Sequence, residues 1–476
     1  ELLKNGIQTI VFARSRQNVE ILTTYLREAV GPGKGSKIMG YRGGYRPNER
    51  RAIEQGLRSG EIMGVVSTNA LELGIDIGQL EACVMSGYPG TVASAWQQAG
   101  RAGRRGSSSL TVMVASASPL DQYVIAHPEY FMHKAPELGL INPDNLLILV
   151  SHLKCAAFEL PFVDGEQFGV ETTAEILSYL EEAKILRHAG AKWHWSAENF
   201  PAENISLRSA DAENVVIIDQ SQTGNAQVLG EIDQLGAMTM LHTNAIYLHQ
   251  GQQFHVDKLD WGEKKAYVHR VEVEYYTDAN LAVTIKPLDV IKEKQEMGLM
   301  VRFGEVMTAA KATIFKKIKL HTHENMGWGE IHLPEYEMHT AAYWLSLPDE
   351  MAEGFTQDEL QSALVGLGHL LKGLAPMYLM CDPADLHEVV QVRSPFNEQP
   401  TIYLYDAYPA GIGLGEKCFD LNPMLLGAAY DRLTACPCES GCPSCVGPGA
   451  ELGNIVGAKQ GVLRILEKAL HQGPQH

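Results

Sequence analysis

Apolar and polar positions alternate along the first 120 residues in two distinct rhythms. Short continuous apolar runs, QTIVFA (8–13), MGVVST (63–68), EACVMSG (81–87) and LTVMVAS (110–116), read as buried strands. Between them, residues 16–30, 47–58 and 92–102 carry the longer period of helices. Strand alternating with helix predicts a parallel sheet covered on both faces, with ligands expected beyond the carboxyl ends of its strands.

The rhythm then changes. NLLILVSHLKCAAFEL and TTAEILSYLEEAKIL predict two helices leading into RHAGAKWHWS, whose central Ala-Gly and alternating Trp193 and Trp195 predict a hairpin. Helices followed by a small hairpin suggest a winged helix. Residues 206–290 are rich in β-branched and aromatic runs (NVVIID, NAIYLHQ, AYVHRVEVEYYT) and predict a small antiparallel barrel or sandwich. The remainder mixes a helix at 358–373 with the strand TIYLYDAY. The chain therefore divides into 1–135, 136–205, 206–290 and 291–476, and at 476 residues it is too long for one core.

Composition adds location and charge. No apolar run approaches the roughly 18 residues needed to cross a bilayer, so no membrane partner is expected. The chain opens at Glu1 with no charged-then-apolar leader, which reads as a piece of a longer, cytoplasmic protein. The net charge of -18 hides a division: residues 1–110 hold 14 Lys and Arg against 9 Asp and Glu, while the rest holds 25 against 48. A basic first unit on an acidic chain points to a local anionic partner.

That positive charge condenses in QQAGRAGRRG (97–106). Arg101 and Arg104 are three apart at the end of a predicted helix, so both can share one face, and Gly100 and Gly103 leave them uncovered. Two exposed guanidinium forks suit bidentate contact with phosphate.

Four cysteines, Cys436, Cys438, Cys442 and Cys445, crowd into ten positions as C-x-C-x₃-C-x₂-C among turn-forming Pro and Gly. Four thiolates can close tetrahedrally on Zn²⁺ with no position open for water, which predicts a structural site. An iron–sulfur cluster and disulfides are the alternatives. His321, His323, His332 and His339 invite a second metal, although chance clustering among 17 histidines accounts for them. The run AYPAGIGLGE (407–416) is either a tight turn or a backbone cradle for an anion.

Together these segments resemble a known family. Gln97 to Arg104 resembles motif VI of superfamily 2 helicases, STNALELGIDIG (67–78) motif V, TIVFARSR (9–16) motif IV, and YRGGYRPNERR (41–51) the segment after it, all in the helicase order. DQYVIAHPEYF, HENMGWGEIHLPEYEMHTAAYWL, DAYPAGIGLGE and the terminal cysteines resemble the mitomycin repair factor A and Hrq-type DNA helicases. The resemblance implies a RecA-like parallel-sheet domain followed by a winged helix, a small β module and a mixed α/β zinc-binding domain. It implies 3′ to 5′ movement on DNA driven by ATP and Mg²⁺, with work in DNA repair. Arg101 and Arg104 would be fingers on the γ-phosphate and Gln97 would couple ATP to domain closure. Gly74 and Asp76, with Gly100 and Gly103, would lie at the nucleotide. Arg14, Arg42, Arg46, Arg50 and Thr68 would hold phosphates of a single strand or 3′-tailed duplex.

One part is absent from the sequence. No G-x-x-x-x-G-K-[ST] loop or acidic box occurs: Gly33-Lys34 is followed by Gly35, and Asp349-Glu350 and Asp358-Glu359 by MA and LQ. The chain is expected to need a first RecA domain and to be inactive alone. A non-catalytic nucleic-acid-binding scaffold and an RNA helicase are the competing readings.

Overall fold

The computed structural model describes residues 1–73, 75, 77–78, 80–103, 108–133, 135–137, 142, 145–205, 214–222, 224–448 and 457–471, with the backbone alone at 204. The first unit is a parallel sheet of strands β1 (Thr9–Phe12), β2 (Ile38–Tyr41), β3 (Gly64–Ser67), β4 (Ala82–Ser86) and β5 (Leu110–Val114), in the order β2-β3-β1-β4-β5. The central strands are buried because helices α1 (Arg16–Val30), α2 (Pro47–Ser59) and α3 (Val92–Ala99) cover the sheet. Ser15 caps α1 by accepting from Asn18 N at 3.1 Å, and Thr91 caps α3 by accepting from Ser94 N at 3.1 Å. β2 was not expected; its four residues include Gly40 and follow a Gly-rich loop, which masks a strand.

Helix α3 stops at Ala99, earlier than expected, with Gly100 as its C-cap. Arg101 therefore leaves the helix on a turn instead of lying on a helical face. Helix α4 (Pro119–Ala126) follows β5 and packs on the long helix Gln357–Leu379 of the C-terminal part.

The second unit has helices Leu146–Glu159 and Thr173–Glu182 and a three-stranded sheet ending in the hairpin Leu186–Ala189 and Lys192–Trp195, as expected of a winged helix. The third is one five-stranded sheet spanning 214–271, in which Lys265–Val271 pairs parallel to Asn214–Asp219 and the other neighbours are antiparallel. It is joined tightly to the first unit. A Cβ at Gly230 would lie 1.9 Å from the Gly44 carbonyl oxygen, so only glycine permits the bridge between Tyr45 and Gly230.

The last part is built on a 22-residue strand, Tyr275–Glu296, paired with the 21-residue strand Leu299–Lys319. The boundary expected at 290/291 falls inside this ladder. Tyr336–Ser346, Thr401–Asp406 and Leu386–Gln391 extend the sheet, and helices Gln357–Leu379, Asn422–Ala435 and Ala458–His471 pack together beside it. Their core is continuous with that of the first unit, which fixes the two relative to each other. Among the described residues, no helix is long and apolar enough to cross a membrane.

Candidate nucleic-acid and nucleotide site

A cavity of about 500 Å³ opens at the carboxyl ends of the parallel strands. Arg14 follows β1, Thr68 and Asn69 follow β3, Gly87 follows β4, and Ser94 and Gln98 come from α3; Ser118 to Leu120 close this side. The far wall is the C-terminal part, with His369 and Lys372 from the long helix, Asp382 to Ala384 from a turn and His387 from a strand. At the seam Gly90, at φ 107°, approaches so closely that a Cβ would stand 2.3 Å from Pro383 Cδ.

Arg14 is aimed by its partners. Its Nη2 donates to Asp121 Oδ1 at 2.5 Å and to the Tyr88 carbonyl, while Asp121 is fully buried and also accepts from Ser116 N at 2.6 Å. The Arg14 side chain keeps 40% of its surface exposed, enough to meet an anion in the cavity. Thr68 Oγ1 accepts weakly from Ala70 N at 3.4 Å. Across the gap, Lys372 Nζ stands 3.2 Å from Glu388 Oε2. Burial and then the Lys372 charge push the His387 imidazole down to about 4, so it is neutral at physiological pH. Burial raises the Asp382 carboxyl.

The expected phosphate-binding residues separate. Arg14 and Thr68 line the cavity; Arg46 and Arg50 lie at and in helix α2, away from its lining. Arg46 is half exposed and pairs with Glu49 at 2.6 Å, and Arg50 Nε is buried without a hydrogen-bond partner. Arg42 is a correction. It is 1% exposed, donates from Nε to Glu20 Oε1 at 2.8 Å and from Nη2 to Leu248 O at 2.9 Å and Tyr247 Oη at 3.1 Å. A guanidinium walled in by a carboxylate and by the third unit cannot reach a strand in this arrangement.

Arg101 is not bare either. Its Nε donates to Glu72 O at 2.8 Å, Nη2 donates to the same oxygen at 2.5 Å, and Nη1 donates to Ile75 O at 2.9 Å. The helix-end arginine thus grips the loop after β3. Gly74, Asp76 and Arg104 themselves lie outside the described residues. Gly103 N donates to Leu80 O at 2.9 Å, and its φ of 81° suits glycine. Gln97 is exposed on α3, whereas its neighbour Gln98 is buried and donates to Glu72 Oε2 at 3.0 Å. Gln98 went unnoticed in the sequence; its i,i+4 spacing from Ser94, with which it shares Glu72, was the available signal.

The cysteine site passes a geometric test. Sγ–Sγ separations are 3.5 Å for Cys436–Cys438 and Cys438–Cys445, and 3.6 Å for Cys436–Cys442 and Cys442–Cys445. Sulfurs at about 2.3 Å around one tetrahedral Zn²⁺ stand roughly 3.8 Å apart, whereas a disulfide needs about 2.05 Å. All four sit around one point, which suits one ion better than a cluster with an iron for each thiolate. Buried Lys459 donates to the Cys436 and Cys438 carbonyl oxygens at 2.7 Å and braces the loop. By contrast, His321, His323, His332 and His339 form no metal-ligating group among the described residues.

The glycine run after Asp406 does cradle an anion, but an internal one. Asp406 Oδ2 accepts from Ile412, Gly413 and Leu414 N at 2.6, 3.0 and 3.2 Å, and Oδ1 accepts from Gly415 N at 2.9 Å.

The comparisons with known proteins agree with this layout. Residues 1–106 match the helicase conserved C-terminal domain, 141–210 the winged helix domain of the ATP-dependent helicase HRQ1, and 367–446 the MrfA Zn-binding domain. A crystal structure of the DUF1998 helicase MrfA bound to DNA superposes with a TM-score of 0.73 at 53% identity, covering 98% of this chain and 62% of that one. The chain belongs with the MrfA/Hrq-type ATP-dependent helicases and matches their C-terminal portion. Among these helicases, YprA of Bacillus subtilis (strain 168), an uncharacterized ATP-dependent helicase, is 54% identical over 98% of this chain and 62% of its own length. HRQ1 of Saccharomyces cerevisiae is 30% identical over 94% of this chain and 43% of its own. The chain thus spans less than two thirds of these relatives. An MrfA structure bound to DNA and AMPPNP gives a TM-score of 0.71 at 52% identity, covering 98% of this chain and 61% of that one. The parallel sheet is accordingly RecA-like, and the four-cysteine site belongs to a zinc-binding domain.

Proposed function

We propose that this chain is the strand-tracking and arginine-finger half of an ATP-dependent DNA helicase. The observation that carries this reading is the cavity at the carboxyl ends of the RecA-like strands, with Arg14 and Thr68 on one wall and Lys372 on the other. A single strand passing there meets cations on both sides, which gives salt-sensitive binding through its phosphates. Arg46 and Arg50 extend the phosphate track along α2. Arg42 is left out of it.

By the family resemblance, Arg101 and Arg104 are assigned to a nucleotide held by another RecA domain, with Gly74, Asp76, Gly100 and Gly103 assigned to the same site. ATP with Mg²⁺ supplies the phosphoryl group whose developing charge the arginines stabilise when it is bound. Arg101 already contacts the loop bearing Gly74 and Asp76, so movement at the nucleotide passes directly to Thr68 at the start of that loop. Gln97, exposed on α3, couples closure from the same surface. Travel from 3′ to 5′ and service in DNA repair rest on the family resemblance, and the structures of MrfA bound to DNA support DNA over RNA.

Fluorescence anisotropy with a labelled single strand tests the reading, run against unlabelled DNA and RNA competitors of matched sequence. Binding that weakens with salt, prefers DNA and falls with Arg14→Ala and Thr68→Ala supports it. Undiminished binding in both variants overturns the cavity assignment. In a chain that also carries the first RecA domain, Arg101→Ala and Arg104→Ala should cost on the order of 10³-fold or more in DNA-stimulated ATP hydrolysis. Hydrolysis unaffected by both substitutions would favour the scaffold reading.

A further inference from the structure

The β-rich third unit carries a cluster that the helicase reading does not use. His255 and Asp257 stand on the strand Gln252–Asp260, and His269 on its antiparallel neighbour Lys265–Val271, directly opposite His255. The pairing is regular through Val256 and Val268 and then slips, so that Lys258 faces Tyr267 and Asp257 is the extra residue of a β-bulge. Phe254, Val256 and Leu259 point into the core, leaving His255, Asp257 and Lys258 outward. The bulge sets the Asp257 carboxylate across both imidazoles: Oδ1 is 3.1 Å from His255 Nδ1, and Oδ1 and Oδ2 are 2.9 and 2.8 Å from His269 Nδ1. Bulges of this kind re-aim a side chain at the cost of a ladder position.

We propose that His255, Asp257 and His269 form a second metal site, one that takes a divalent transition ion such as Zn²⁺ at the surface of the β module. One ligand atom from each of the three residues lies within 4.8 Å of the others, so modest rotation brings them onto one ion. Two imidazoles and one carboxylate are a donor set that Zn²⁺, Co²⁺ and Ni²⁺ accept, whereas Mg²⁺ and Ca²⁺ demand oxygen. The side chains are 29%, 44% and 44% exposed, so water completes the coordination and the ion exchanges freely, unlike the ion of the closed cysteine site. The adjacent Lys258 has its charge offset by Asp260, whose Oδ2 lies 2.7 Å from Lys258 Nζ.

Equilibrium dialysis of this chain against Zn²⁺, with metal counted by mass spectrometry, decides the matter. The expected result is one equivalent that survives a weak chelator and a second that does not. The double substitution His255→Gln/His269→Gln, which keeps volume and a donor toward Asp257, should remove the second equivalent alone, and Asp257→Asn should weaken it by about tenfold or more. Co²⁺ titration supplies a spectroscopic readout, since visible bands that saturate at the weak site must vanish in the double variant. A single equivalent in the unsubstituted chain, or a second one that persists in the double variant, overturns the proposal.

Discussion

Replacing Arg42 by alanine separates a structural arginine from a phosphate-binding one. The guanidinium is buried with Glu20, whose Oε1 also accepts from Tyr45 Oη at 2.7 Å and whose Oε2 accepts from Gly251 N at 3.0 Å. Burial disfavours the Arg42 charge, but Tyr247 and Glu20 more than offset it, so the arginine stays protonated. Removing one partner of such a pair leaves an uncompensated buried charge and costs about 3–5 kcal/mol, a factor on the order of 10² to 10⁴ in the local opening constant. The pair joins α1 to the 246–251 segment, so the loss should appear there. Hydrogen exchange in both segments is expected to quicken by about that factor, while the salt dependence of single-strand binding keeps its slope. Adding Glu20→Gln to Arg42→Met removes the orphan charge and keeps an acceptor for Tyr45 or Gly251, so part of the protection should return. If Arg42→Ala left exchange unchanged and flattened the salt slope by about one phosphate contact, the burial argument would be wrong and the phosphate assignment right.

Other outcomes follow from the same geometry. Arg14→Ala should weaken single-strand binding uniformly across sequences and lower the salt slope by about one contact, with Arg14→Lys recovering much of it and still meeting Asp121; a sequence-selective loss would contradict phosphate recognition. Cys438→Ser should release the tightly held zinc and expose helices Asn422–Ala435 and Ala458–His471 to proteolysis, because a structural ion contributes on the order of 10 kcal/mol to its domain; zinc retained at full occupancy would refute the four-cysteine assignment. His387 binds a proton less readily folded than unfolded, its imidazole lying near 4 against an ordinary value of about 6.5. Stability should therefore fall as pH drops from about 6.5 to about 4, by at most roughly 3 kcal/mol, and His387→Gln should flatten that slope in urea titrations.

What could be read from the chain, and what could not, comes down to how far the deciding contacts lie in sequence. Strands β1, β3 and β4 announce themselves because a strand buried on both faces must be a continuous apolar run, whereas β5, with the same apolar run, is an edge strand left largely exposed; Cys436 to Cys445 stand out because one ion gathers ligands within a turn or two. The segment YRGGYRP shows the limit. Arg42 and Arg46 are four residues apart in the same glycine-rich stretch, yet one is sealed under Tyr247 and Leu248, about two hundred residues onward, and the other stands in solvent. Nothing local distinguishes them, since the lid over Arg42 belongs to another unit. The same holds on α3, where the motif singles out Gln97 while a rotation of about 100° along the helix gives Gln98 the buried contact with Glu72. Motif spacing identifies which loops converge on a ligand; which side chain of a loop reaches it is set by the element that packs over the others. In this chain those elements are the third unit over Arg42 and the C-terminal part over the cavity. The Lys372 helix and Pro383 turn of the C-terminal part give the carboxyl ends of the strands a second wall, so the tightness of strand binding should depend on residues that no helicase motif contains.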